Sequence, residues 1–235
     1  MKRYLNLNAL TIQFYPLLMH PCIRHSHTFF VRTFAVLSVF IGLYFLFAEL
    51  IAILFSRASL SAYLHHTLFE LSVPNGSIID DRTVQLTPLS FSVRASFLLQ
   101  GYLFALIYFV SVMRITQGFR LIAGALALAF SFCMGLIYSA QGGQYTVGGL
   151  QNLGVSITFI LGNLIILLTA FTTHSPLLTK FKMFSLLIGG IGLVSIIFTM
   201  ITPTPYLPIL ERLGIYSILF WEIAVGFAVL KQVAR

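Results

Sequence analysis

Apolar positions along this chain come in long unbroken stretches with short polar breaks between them. Six stretches stand out: Thr33–Phe55, Ala95–Met113, Phe119–Ser139, Leu150–Phe171, Met183–Thr202 and Leu213–Leu230. Each approaches the roughly 20 apolar residues that cross a bilayer as a helix. Turn-forming residues separate the later ones: Gln141-Gly142-Gly143-Gln144, then His174-Ser175-Pro176, then Pro203, Pro205 and Pro208. The pattern predicts an all-α polytopic membrane protein built as a six-transmembrane-helix bundle.

Two segments fall outside these stretches. Residues 1–32 mix apolar and polar side chains too closely to span, and are expected to form a cytoplasmic N-terminal arm. An interfacial arm, a disordered tail and an upstream extension from a misassigned start all fit that composition. Residues 33–235 then form the membrane domain, with residues 56–94 as a long outer loop. Connections in bundles are usually much shorter. Within that loop Leu60, Tyr63, Leu64, Leu68 and Leu71 recur at helical spacing, with Ser59, Ala62, His66 and Glu70 on another side. This predicts an amphipathic helix that lies on the outer membrane face or caps the bundle, ended by Pro74-Asn75-Gly76. No internal repeat is visible, which weakens an inverted-repeat transporter reading.

Composition agrees with the pattern. Of 235 residues 58% are hydrophobic and 9% charged, and mean hydropathy is +0.96. Soluble domains carry about 25% charged residues, so lipid must cover much of this surface. The formal charge of +8 does not point to nucleic acid, because the basic residues sit scattered at segment ends and form no basic face. The first long apolar run is too long for a signal-peptide core, so no cleavable leader is expected. Cys22 and Cys133 fall in the cytoplasm and inside a membrane helix respectively, so no disulfide is expected.

Basic residues also orient the chain. With the N-terminus inside, Lys2, Arg3, Arg24, Arg32, Arg114, Arg120, Lys180, Lys182, Lys231 and Arg235 are cytoplasmic, and Arg57, Arg82, Arg94 and Arg212 are outside. The reverse orientation inverts this split. Both termini are therefore expected in the cytoplasm.

Small residues mark helix contacts. Ala123, Ala127, Ser131, Gly135 and Ser139 recur every fourth position in the third stretch, and Gly154, Thr158 and Gly162 do so in the fourth. In lipid, small faces let backbones approach and gain dispersion contact. These two helices are expected to pack on each other.

Polar groups inside the stretches are expensive and so informative. Glu222 lies near the middle of the sixth, where a charged acid costs about 2.5–3.5 kcal/mol on insertion scales. It is expected to be protonated or paired and to face the interior. Glu49, in the outer third of the first stretch, can snorkel more cheaply. Asn152 and Asn163 lie close to three helical turns apart on one face of the fourth. Gln100 marks the second, and amides at such positions bridge helices. Glu211 and Arg212 fall at the outer mouth of the sixth, with Glu222 three turns deeper on nearly the same face. If the two ladders face inward, Glu211, Arg212, Glu222, Asn152 and Asn163 line one polar path open to the outside. The alternative has the outer acids and arginines pairing with one another, and Glu222 capped by a neighbouring side chain.

The remaining motifs are negative. His66 and Glu70 share a face, but His65-His66 with Asp80 and Asp81 match no zinc spacing. There is no G-x-S-x-G elbow, H-E-x-x-H, P-loop or dinucleotide fingerprint. No catalytic residue, metal or cofactor is expected.

At Gly162-Asn163, and again at Glu211-Arg212 leading into Gly214, Ile215, Tyr216 and Trp221, the chain resembles a bacterial family of six-helix membrane proteins known as domain of unknown function 998. The segment from Leu150-Gln151-Asn152-Leu153-Gly154 to Gly162-Asn163 resembles that family's fourth helix, and Glu211-Arg212 with Trp221 its sixth. The resemblance covers roughly residues 33–230. It implies a bacterial cytoplasmic membrane and supplies no activity. Where that family often has a histidine near the start of the fourth helix, this chain has Gln151-Asn152.

Three readings stay open at this level. The leading one is a non-enzymatic membrane protein whose outward-facing polar cavity binds or transports a small molecule or a membrane lipid. The second is an intramembrane enzyme acting on a lipid-linked substrate, with Glu211 or Glu222 as proton donor. The third is an accessory subunit of a larger membrane complex.

Overall fold

The computed structural model describes residues 21–79, 82–84, 86–116, 119–139, 144–145, 150–172, 179–201 and 206–233. Long helices dominate them: α1 (Pro21–Leu54), α4 (Ser90–Ile107), α6 (Arg120–Ser139), α7 (Leu150–Thr172), α8 (Thr179–Ile201) and α9 (Leu207–Val233). Helix α4 runs on through a π-helical turn, Tyr108–Val112, into α5 (Met113–Ile115). By length and composition, five of the described helical stretches can cross a membrane: His27–Leu54, Ser90–Val112, Arg120–Tyr138, Thr179–Ile201 and Leu207–Lys231. In α7 the shorter apolar stretch Ile157–Thr172 meets the same description less fully.

Several boundaries move outward from the sequence expectation. Helix α1 starts at Pro21, so part of the expected arm is helical, while residues 1–20 lie outside the described residues. Proline is well tolerated in a first helical turn, because its missing N–H is unpaired there anyway. The same rule corrects Pro208, which sits in the first turn of α9 instead of ending the preceding loop. The breaks at 141–143, 174–176, 203 and 205 lie outside the described residues.

The long helices form a closed ring in which each packs on its neighbours in sequence, and α9 returns to pack on α1 and also touches α7. Apolar burial alone does not separate such helices from lipid, so close approach and shape decide the contacts. Gly226 shows this: a Cβ there would lie 2.9 Å from the Ala35 carbonyl oxygen and 2.7 Å from Val39 Cγ2. At the centre Trp221 is fully buried, with its ring 5.5 Å from that of Phe104 and 6.1 Å from that of Phe181. Its Nε1 donates to Ser185 Oγ at 2.9 Å.

The expected pairing of small faces holds in part. Gly154 lies against Cys133, Leu136 and Ile137 of α6, and Gly162 against Phe130 of α6 but also Ile218 of α9. Ser131, however, meets Gly101 of α4, and Gly135 looks toward Leu98 of the same helix. The α6 stripe is therefore shared between two partners, because a small residue every fourth position drifts around a 3.6-residue helix. Cys133 is buried as a free thiol, while the side chain of Cys22 lies outside the described residues.

The segment 56–94 departs most from expectation. It forms a compact cap, not one amphipathic helix: a 3-10 turn (Ser59–Ser61), α2 (Ala62–His65) and α3 (Leu68–Ser72). The break falls at His66, whose backbone is extended. Thr67 restarts the helix through a capping box: its hydroxyl accepts from Glu70 N–H, and the Glu70 carboxylate accepts from Thr67 N–H. Leu68 and Leu71 are fully buried, whereas Leu60 and Leu64 stay exposed. The chain turns at Gly76, whose φ of +86° suits glycine, and two short strands follow. They are β1 (Ser77–Ile79) and β2 (Arg82–Val84), which pair antiparallel. The two-residue β3 (Gln144–Tyr145), from the connection between α6 and α7, adds to β1 in parallel. The purely helical expectation therefore needs this small sheet added. Short strands of this kind satisfy backbone groups that connections at a bundle end would otherwise leave unpaired.

Candidate functional site

The cap sits where α1 ends and where α4 and α9 begin, and it gathers three of the four acidic side chains among the described residues, Glu49, Glu70 and Glu211. Arg212, in the second turn of α9, is buried at 2% exposure. Its Nε donates to Glu49 Oε1 of α1 at 2.7 Å, and its Nη1 donates to the carbonyls of His66 at 2.9 Å and Pro208 at 3.1 Å. The guanidinium also lies over the Tyr63 ring, 4.5 Å from its centroid. Tyr216, one turn further along α9, donates its hydroxyl to Glu49 Oε2 at 2.7 Å and lies 2.8 Å from the Tyr63 hydroxyl. Both oxygens of Glu49 are thus held, and the cap is tied to two helices through one ion pair.

This corrects the reading of Glu49 as a snorkelling acid. It is buried at 1% exposure, because Arg212 supplies the counter-charge that makes burial tolerable. His66 pairs with Glu70, with Nδ1 2.9 Å from Oε2. Asp80 and Asp81 lie outside the described residues.

Glu211 points elsewhere although it is the next residue along. It is buried at 7% exposure, and its Oε2 accepts from the Leu68 N–H of α3 at 3.1 Å. No ion pair involves it among the described residues. Glu211 lines a 240 Å³ cavity between α3, α7, α8 and α9, with Thr67, Phe69, Val155, Phe159, Ile196, Thr199, Met200 and Leu207. This is an apolar pocket carrying a carboxylate and two threonines. Drug-sized pockets are usually larger, and like this one they pair apolar walls with a few polar groups.

The two ladders do not join into one path. Glu222 is fully buried and faces Ser38 of α1 and Gln100 of α4. Ile215 and Ile218 fill the α9 face between Glu211 and Glu222, and both are fully buried. Asn163 is likewise fully buried. Its Nδ2 donates to the Phe159 carbonyl at 2.8 Å and the Gly214 carbonyl at 2.9 Å, and its Oδ1 accepts from Ser217 at 2.6 Å. It bridges α7 to α9 and does not line the cavity. The side chain of Asn152 lies outside the described residues. Of the four expected site residues whose side chains are described, only Glu211 lines the cavity.

Sequence reasoning missed the apolar walls and the contribution of the cap. The signal for the cap was present in Thr67-Leu68-Phe69-Glu70, a capping-box pattern before an apolar pair. Phe159, Ile196 and Met200 carry no such mark, since apolar residues in membrane helices look alike whether they face lipid or a cavity. Compared with known protein families, with curated proteins and with solved structures, the chain matches none.

Proposed function

We propose that this chain is a six-span protein of the cytoplasmic membrane that binds a small amphiphile at its cap end without transforming it. The observation that carries the reading is Glu211, a carboxylate with no ion-pair partner among the described residues, set in an otherwise apolar cavity. Such a site suits a molecule with one cationic or hydrogen-bonding head and a short apolar body. Leu68 N–H holds one carboxylate oxygen in place, so the head meets a fixed acceptor. The adjacent cation, Arg212, is hydrogen-bonded to Glu49 and two carbonyls and acts on Glu211 only through space.

The remaining elements of the reading rest on sequence patterns. The excess of Lys and Arg on one set of connections favours both termini inside and the cap outside. Helix α7 is counted as a sixth span because Leu150–Thr172 is long enough and packs within the ring. Membership of the family known as domain of unknown function 998 is proposed on Gly162, Asn163, Glu211, Arg212 and Trp221. Those residues hold helix contacts or the cap in this fold, so the proposal concerns architecture before activity.

The test is native mass spectrometry of the full chain in lipid nanodiscs, with a primary alkylamine series added. Binding that grows with chain length and is lost in Glu211→Gln and in Phe159→Trp, which fills the cavity, supports the reading. Alkylamine binding unchanged in both variants places the ligand elsewhere and overturns it.

A further inference from the structure

A second polar cluster lies deep in the ring and is independent of the pocket. Glu222 of α9, Gln100 of α4 and Ser38 of α1 are each fully buried. Gln100 and Ser38 are the polar side chains that Glu222 faces. Both carboxylate oxygens, both amide atoms of Gln100 and the Ser38 hydroxyl close no hydrogen bond of good geometry with the described residues. Several other buried polar groups are satisfied: Ser96 donates to the Val93 carbonyl, Trp221 to Ser185, and Asn163 uses both ends of its amide, while the single hydroxyls of Tyr108 and Thr158 also close no such bond. Buried polar atoms without a partner are costly, so a cluster of them calls for a physical explanation.

The charges around the cluster point the same way. Helix α9 packs on α1, α7 and α8 and meets α4 through Gln100. On α1, Glu49 is taken by Arg212. On α4, Tyr108 lies two turns beyond Gln100, and on α7 the buried amide of Asn163 is satisfied by α9. On α8, Lys180 and Lys182 sit in the first turn, and on α9 Lys231 is exposed in the last. No basic side chain among the described residues acts on Glu222, whose recorded partners are Gln100 and Ser38 alone. A negative charge on Glu222 would have nothing among the described residues to balance it.

We propose that Glu222, Gln100 and Ser38 form an occluded binding site for one small monovalent cation, either a proton or a bare alkali ion. The donors are hard oxygens: two from Glu222, Oε1 of Gln100 and Oγ of Ser38. Oxygen ligands of this kind suit hard cations over soft ones. A monovalent ion leaves the site neutral, whereas a divalent ion leaves a buried positive charge. Protonation gives Glu222 an O–H that a neighbouring oxygen, Gln100 Oε1 or Ser38 Oγ, can accept. Three helices supply the ligands, so occupancy fixes α1, α4 and α9 relative to one another.

The experiment is labelling of the full chain in nanodiscs by a hydrophobic carbodiimide, which reacts with protonated carboxyls in apolar surroundings, with Glu222 read by peptide mass spectrometry. Labelling of Glu222 is expected to fall as the pH is raised from about 5 to about 9, or to fall at fixed pH when sodium replaces choline. The pH arm identifies the proton and the sodium arm an alkali ion. In Gln100→Leu, which keeps the carboxyl, the midpoint of that fall is expected to shift by about tenfold in cation activity or more. Labelling of Glu222 that stays constant against both pH and sodium makes it a permanently neutral packing group, and absent labelling leaves it without an exchangeable cation; either result overturns the proposal. An unshifted midpoint in Gln100→Leu removes Gln100 from the site and overturns the three-ligand assignment.

Discussion

Arg212 and Glu49 meet at 2.7 Å with both side chains 2% exposed, although 163 residues separate them in the chain. A buried pair is weak evidence of net stabilisation, because desolvation offsets much of the attraction, but removing one member strands the other. Glu49→Gln or Arg212→Gln is therefore expected to destabilise the folded state by about 3–5 kcal/mol. Replacing both is expected to cost less than either alone. Thermal unfolding of the four proteins in one detergent, analysed as a double-mutant cycle, checks this. Equal and additive losses refute the coupling.

The glycine contacts give a second expectation. A Cβ at Gly192 would strike Asn163 Oδ1 and Ser217 Oγ, the two groups that bridge α7 to α9. At Gly190, on the same helix, nothing lies within 4 Å. Gly192→Ala is expected to lower stability by about 1–3 kcal/mol through overpacking. Gly190→Ala is expected to be neutral or stabilising by up to about 1 kcal/mol through helix propensity. Gly162→Leu should likewise lower stability far more than Gly135→Leu, since Ile218 and Phe130 crowd the first site and only Leu98 approaches the second. Melting temperatures in a common detergent decide the order.

Thr67 closes the capping box of α3, and Leu68 N–H, the next group along, binds Glu211. Thr67→Ala is expected to cost about 1 kcal/mol locally. Hydrogen exchange should report it as faster exchange over residues 68–72, with α9 unchanged. Protection that stays at the wild-type level would show that packing of Leu68 and Leu71 alone holds the cap.

Topology is checked by single cysteines in a background lacking Cys22 and Cys133. Positions Ser77 and Gln144 are expected to react with an impermeant maleimide added to intact cells, and Gln117 and Ser175 only after lysis. Reaction of Gln117 in intact cells inverts the orientation.

The long helices and their approximate placement were legible in the sequence because an apolar run of bilayer length has few other stable fates: every backbone polar group must be satisfied within the segment. The runs at 119–139 and 150–171 return as α6 and α7 nearly unchanged. The restart of the cap at Thr67 was also written locally, in the Thr-x-x-Glu pattern. Partner choice was not. Nothing adjacent to Glu49 announces Arg212, and the face that carries both Glu211 and Glu222 also carries Ile215 and Ile218, which close it. Spacing on one helix places residues on a face but does not say what the neighbouring helices present there. Only the packed ring decided that Glu211 lines a cavity, that Asn163 bridges helices and that Glu222 is enclosed with Gln100 and Ser38. In a membrane, lipid is as apolar as a neighbouring helix, so hydrophobicity drives insertion but not pairing, and contacts are left to shape and to a few buried polar groups.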